Sequence, residues 1–497
     1  LIAIAVKREE RAVQLSNPED AMNRRIAVLL TVVLVIGCSP LTPRRLTLVG
    51  DQWTPQRQEP VFELADEDIN PTRATKEAKS ISSTTWEHYH SFDVGIIEFT
   101  ERGALWGSEQ RKQVMDNIRR LAAERGVTLV VYAHGWHHSA RWNDTNLVSF
   151  RRVLRFLAKR PVGMHCPPAS GPTTSSRVVG VYIGWRGESI PVPGLNLTTI
   201  WSRKRIAQHI GGPATDHEER SVRFHIQTRS ELSNVLRELD GIRAEANETA
   251  LASGRPFSSL TITGHSLGGA MLLSAMQQIV FQKTIDHALP IDQAELQRIG
   301  DAVILLNPAV EAGRYKSFRA ELAKTFDGRQ RPILIVLSSA GDWPNKIALR
   351  VARFFVTLAA PPRWREWRDS TTALGFSTSD ISHRLKADDE AALISDLDKL
   401  IPAPYPEGFD DNMADPEKFD LTGTLKYGDR LRLERLGTRQ YTPFLIVNSD
   451  KKVIKDHNDI FSAGVLSFVV PFVRASERKG LLPLCRTQLA MGAPAAK

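Results

Sequence analysis

Residues 260–271 read LTITGHSLGGAM, and no other stretch limits the possible folds of this chain as tightly. Leu260 to Thr263 is a short apolar run of strand character. From Gly269 to Gln282 the apolar residues recur at helical spacing. Between the two stands Gly264-His265-Ser266-Leu267-Gly268, the pattern G-x-S-x-G. A strand that turns into a helix this sharply needs glycine where a side chain would collide with either element. The Ser266 hydroxyl then projects from the sheet edge. The helix start behind it supplies positive potential and free N–H groups for a developing anion. Ser266 is therefore a candidate nucleophile; the plainer alternative is a glycine-rich turn without chemistry.

The remainder of the chain fits the same architecture. From Phe92 onward, short apolar runs alternate with longer helical patterns. The runs are Val94 to Phe99, Thr128 to Ala133, Val178 to Trp185, Ala302 to Leu306, Ile333 to Leu337 and Phe444 to Val447. Their nearly continuous apolar character predicts strands covered on both faces. Helices are predicted at Glu109 to Arg125, Leu147 to Lys159, Ser230 to Ala246 and Gly269 to Gln282. The expected class is α/β, with a mostly parallel central sheet, helices on both faces and an inserted lid or cap region. A formal charge of +9 over 497 residues is mild. It favours anionic surfaces such as lipid headgroups, and no zinc-finger, basic-region or RNP motif argues for nucleic acid.

With its double glycine, GHSLGGA resembles the lipase and esterase members of the α/β-hydrolase superfamily. The resemblance covers roughly residues 92–342 and 443–475. It implies an oxyanion loop after an earlier strand, and residues 129–138, LVVYAHGWHH, supply the match. The backbone N–H of Trp136 would be one oxyanion donor and that of Leu267, after the nucleophile, the other. His134 and Gly135 belong to this loop, where glycine lets the backbone approach the substrate. A metal cluster of His134, His137 and His138 is the rival reading, but the spacing does not match H-E-x-x-H and no carboxylate lies within the run. No metal or organic cofactor is expected. Trp185 and Arg186, at the end of the next strand, either wall the pocket or pack on the oxyanion loop.

A serine hydroxyl needs a base, and histidine suits the task near neutrality. The superfamily places that base after the last strand. In FLIVNSDKKVIKDHNDIF, residues 444–461, His457 holds this position. The acid follows an earlier strand by a short turn, as Asp342 does in ILIVLSSAGDW. The chain order Ser266, Asp342, His457 is the one the resemblance implies. Glu311, one strand earlier in LLNPAVEA, is the alternative acid.

Residues 22–38 read MNRRIAVLLTVVLVIGC. Two arginines precede an apolar run shorter than the roughly 20 residues of a membrane span. The ending Val35-Ile36-Gly37-Cys38 resembles a bacterial lipobox, which implies that Cys38 carries a diacylglyceryl group as the first mature residue. Ser39 after it implies the outer membrane, facing the periplasm of a bacterial envelope. Residues 1–37 are then an upstream extension with a lipoprotein-type signal, 38–91 a tether, and 92–342 with 443–497 the catalytic domain. Residues 343–442 are an insertion beside the catalytic groups. Its first segment, NKIALRVARFFVTLA, sets Phe354 and Phe355 opposite a cationic face. It either meets a membrane and covers the site, or packs on the core. Cys166 and Cys485 either pair in an oxidising compartment or remain separate thiols.

The expected activity is hydrolysis of a carboxylic ester, as an esterase or lipase, through an acyl-enzyme. The substrate is an ester or lipid. The membrane is met through the lipid anchor, with the insertion as a second candidate contact, and the sequence is silent on oligomeric state. An amidase, thioesterase or acyltransferase with the same triad is the first alternative. A non-catalytic envelope lipoprotein of the same fold is the second.

Overall fold

The computed structural model describes residues 42–45, 64–65, 69, 84–159, 175–188, 199–212, 229–253, 255–286, 298–321, 331–342, 344, 364–387, 421, 424–427, 431–437 and 442–492. In chain order the elements are β1 (Trp86–His88), β2 (Phe92–Glu98), α1 (Ser108–Arg125), β3 (Val127–Ala133), α2 (Thr145–Ala158) and β4 (Arg177–Gly184). Then come α3 (Ile200–Gly211), α4 (Glu231–Ser253), β5 (Ser259–His265), α5 (Leu267–Asp286), β6 (Ala302–Leu306), α6 (Ala312–Glu321) and β7 (Leu334–Ser339). The last are α7 (Trp364–Thr371), β8 (His383–Ala387), β9 (Leu425–Tyr427), β10 (Leu431–Arg435), β11 (Phe444–Ser449) and α8 (Ala463–Gly492).

The strands form one sheet in the order β1-β2-β4-β3-β5-β6-β7-β11-β8-β10-β9. From β2 to β8 every neighbouring pair is parallel; the pairs β1-β2, β8-β10 and β10-β9 at the two edges are antiparallel. The period of two is plain along β3. Leu129, Val131 and Ala133 join one core, whereas Tyr132 joins the other with Val130 packed against it. The first core contains apolar residues of α1, α3, α4 and α5, and the second those of α2 and α8. The structure is thus α/β, with a mostly parallel sheet flanked by helices. Both faces are covered, which explains why the central strands read as unbroken apolar runs. Asp144 starts α2 by accepting a hydrogen bond from the Asn146 N–H at 2.9 Å.

After β3 the chain returns through α2 to β4, toward the β1 edge, and after β5 it passes through α5 to β6, toward the other edge. Neighbouring strands β3 and β5 therefore open a crevice at their carboxyl ends, the switch point where open α/β sheets hold their ligands. The loop at 134–138 and Ser266 both lie there.

Two boundaries differ from expectation. The segment 38–91 is not merely a tether. Arg45 is wholly buried and ion-paired to Glu87 at 2.9 Å, and Glu87 also pairs with Arg151 at 2.7 Å. The Arg44 and Arg45 N–H groups donate to the Glu98 carboxylate at 2.8–2.9 Å, and β1 extends the sheet. Nor is 343–442 wholly an appendage, since β8, β9 and β10 belong to the main sheet. The segment 345–359, with Phe354 and Phe355, lies outside the described residues. Among the described residues, no helix is long and apolar enough to cross a membrane.

Candidate active site

Ser266 stands between β5 and α5 with φ at +53°. This left-handed conformation costs a non-glycine residue about 1–3 kcal/mol, and the surrounding packing holds it. A Cβ on Gly268 would lie 2.1 Å from the Ala133 carbonyl oxygen, and one on Gly135 would lie 3.0 Å from Ser266 Cβ. The motif glycines thus let the helix start and the loop after β3 close around the serine. The Ser266 N–H donates to the Leu306 carbonyl at 3.1 Å, tying the turn to β6.

His457 lies in the loop between β11 and α8. Its Nε2 is 2.9 Å from Ser266 Oγ and its Nδ1 is 2.9 Å from Asp342 Oδ1. Asp342 is completely buried, while the His457 side chain keeps 14% of its surface. With Nδ1–H donating to the carboxylate, Nε2 is left to accept from the serine hydroxyl. Three residues spread over 191 positions therefore form one hydrogen-bonded line. Glu311 is elsewhere engaged: Lys204 Nζ lies 2.7 Å from its Oε1, both groups buried. The structure brings Asp342, not Glu311, to His457.

The loop after β3 is fixed by a stacked pair. The His134 and Trp185 rings lie 5.5 Å apart at 10°. The Trp185 N–H donates to His134 Nε2 at 3.1 Å, and its indole N–H to the His134 carbonyl at 3.0 Å. His134 Nδ1 lies 2.9 Å from the Gly135 carbonyl, so the neutral Nδ1–H ring meets both partners. Burial pushes His134 down to about 4, against a weaker upward pull from Asp144. Trp185 is therefore chiefly a support of the loop, though with Arg186 it also borders a neighbouring cavity. His137 and His138 have separate carboxylates, Glu188 at 2.7 Å and Asp144 at 3.1 Å. Among the described residues, no group of three or more His, Cys, Asp or Glu is arranged to hold a metal. The backbone N–H groups of Trp136 and Leu267 make no hydrogen bond among the described residues.

Two further residues, not singled out in the sequence reading, hold the histidine loop. His265 Nε2 lies 2.9 Å from the His457 carbonyl oxygen, and burial followed by the nearby His457 ring lowers its pKa well below the usual histidine range. Asn307 Nδ2 donates to the same carbonyl at 2.9 Å. The available signal was Asn-Pro directly after a strand, a turn-forming pair. Cys485 is disulfide-bonded, while Cys166 and Cys38 lie outside the described residues. Comparison with protein-family models, with curated proteins and with solved structures finds no match.

Proposed function

We propose that the protein is a serine hydrolase of the α/β-hydrolase fold that cleaves a carboxylic ester. One observation carries the reading: His457 bridges Ser266 Oγ and Asp342 Oδ1, each at 2.9 Å. In the first half-reaction His457 Nε2 takes the Ser266 proton as Oγ attacks the ester carbonyl carbon. Negative charge gathers on the carbonyl oxygen, and the backbone N–H groups of Trp136 and Leu267 are its donors. Collapse breaks the ester C–O bond, and the imidazolium returns its proton to the leaving alkoxide. Water, deprotonated by His457, then releases the acid and restores Ser266. Asp342 holds the tautomer that keeps Nε2 free and stabilises the imidazolium.

The envelope placement belongs to the same proposal, with Cys38 as the lipid-bearing residue. The six residues from Cys38 to Arg44 span at most about 22 Å when extended. A diacylglyceryl group on Cys38 would therefore hold the carboxyl edge of the sheet near a membrane, which suits esters of amphiphiles. The part of the insertion between Asp342 and α7 would act there as a lid. The test is labelling of the purified protein by a fluorophosphonate, followed by a panel of ester, amide and thioester substrates. Labelling that persists in Ser266→Ala, or no labelling of the native chain, would overturn the hydrolase reading. Faster turnover of the amide or thioester would move it to an amidase or thioesterase.

A further inference from the structure

On one face of the sheet the helix layer does not close over the middle strands. Thr128 and Val130 of β3 are only partly buried, and Thr261 and Thr263 of β5 keep 8% and 9% of their surface. On the opposite face of the same strands, Leu129, Val131, Leu260 and Ile262 keep none. The four accessible residues line a cavity of about 150 Å³ between α2 and α8. Protein interiors are packed as densely as organic crystals, so a space of this size against the centre of a sheet is a built feature.

The walls of the cavity are apolar. Phe150, Val153 and Leu157 line it from α2, and Val465, Val469 and Val473, four residues apart and so on one helix face, line it from α8. At the carboxyl edge of the sheet it ends on aromatic rings: the Tyr132 ring centre lies 5.4 Å from that of Phe150 and 5.2 Å from that of Phe461. At the amino edge it ends on polar groups, Thr128, Arg474 and Glu477, the last bonded to Ser259 at the start of β5. Thr128, Leu157 and Arg474 are partly exposed, as a mouth at this end requires. Burial, and then Asp301, push the Glu477 carboxyl up to about 8, so near neutrality it is an acid that both donates and accepts. From Thr128 to Tyr132 the strand advances about 13 Å. An apolar cavity of the same volume stays dry and takes up benzene. No helix fits, since with its side chains a helix is about 10–12 Å across. A single alkyl chain matches the length and the walls, and a hydroxyl at its head matches the mouth.

We propose that this cavity binds one alkyl chain carrying a hydroxyl head, with the tail against Tyr132 and Phe461 and the hydroxyl at Thr128 and Glu477. The site is separate from Ser266 and does not depend on the hydrolase reading. The full chain is titrated calorimetrically at pH 7 with octanol, with the α,ω-diol of the same length and with octanoate. Octanol should bind, and the diol about tenfold more weakly or worse, because its second hydroxyl would be buried against the rings without a partner. Val470→Phe, which turns a ring from α8 into the existing space, should abolish octanol binding while circular dichroism and the urea midpoint stay near native. Val473→Leu adds a single methylene there and should weaken binding roughly fivefold or more, the low end of the cost of overfilling a packed site. If Val470→Phe fails to fold, Val473→Leu decides. No binding of octanol, equal binding of the diol, or native affinity in either folded variant overturns the site. Tighter binding of octanoate than of octanol overturns the hydroxyl head.

Discussion

Asn307 holds His457 by its backbone: the amide Nδ2 lies 2.9 Å from the His457 carbonyl oxygen and 3.2 Å from that of Asp456. The Asn307 backbone is left-handed, with φ at +42°, a conformation asparagine tolerates better than most residues. Its Oδ1 accepts from the Ser339 N–H at 2.8 Å, and Ser339 Oγ donates to the Ile454 carbonyl. The loop that carries His457 is thus fixed from the ends of β5, β6 and β7, through His265, Asn307 and Ser339. An imidazole on a loop keeps two aligned hydrogen bonds only if its backbone is held in this way.

Asn307→Ala should accordingly lower kcat by about 10- to 100-fold, the scale of a misplacement on the order of 1 Å. KM should change little, because Asn307 touches the histidine loop and not the site for the ester. Asn307→Asp keeps the acceptor for Ser339 but loses the donor to His457, so its rate should resemble that of Ala. Steady-state kinetics and the fluorophosphonate labelling rate measure this together. An Asp variant with native kcat would remove the positioning role.

Asp342→Asn should reduce kcat on the order of 10⁴-fold while leaving the fold intact, since the amide favours the wrong imidazole tautomer. Glu311→Gln should act differently. It leaves the Lys204 cation buried without its anion, which is expected to cost about 3–5 kcal/mol of stability, while the folded fraction keeps near-native kcat. Denaturant titration and kinetics on both variants separate the two carboxylates. A larger kcat loss for Glu311→Gln would place the acid after β6.

The central strands were readable because each is buried on both faces, so Ala302–Leu306 and the first four residues of Phe444–Ser449 appear as unbroken apolar runs. Strands β8 and β10 were missed for a physical reason. HRLKA and LRLER pair antiparallel near the sheet edge, burying Leu385, Leu431 and Leu433 while their neighbours remain partly or fully exposed. Such alternation over five residues resembles a polar loop. Ser266, His457 and Asp342 were legible from the turns that carry them. Asn307 and the Lys204 partner of Glu311 were not, because their roles depend on contacts across 150 and 107 residues. The burial of Arg45 was also hidden, since nothing local marks an arginine whose anions lie at positions 87 and 98.

Cys38→Ala should abolish lipid attachment and leave activity on a soluble ester unchanged, because Cys38 is no part of the triad. Mass spectrometry of protein extracted from membranes decides the first point. An unmodified Cys38 in that material would end the lipoprotein proposal and leave the enzyme proposal standing.

Keeping His134 neutral in the loop after β3 should make the chain as a whole less stable in acid. Neutral His134 donates from Nδ1 to Gly135 and accepts at Nε2 from the Trp185 N–H; a proton on Nε2 would set two donors against each other. Its folded pKa of about 4 lies below the usual 6.5. Between those values the unfolded chain binds the proton and the folded chain does not, so stability is full above about pH 6.5 and falls as the pH drops toward 4. From pH 7 to pH 5 this group should cost about 2 kcal/mol. His383, also near 4, adds a loss of the same sign, whereas Glu477, raised to about 8 by burial and Asp301, acts oppositely over the same range. The informative quantity is therefore the difference between the native chain and His134→Gln. Urea unfolding at pH 7 and pH 5 should show a smaller acid loss in the variant, even if it is less stable at both. Equal losses in the two proteins would mean that His134 does not stay neutral in the fold, and the tautomer assigned to the loop would be wrong.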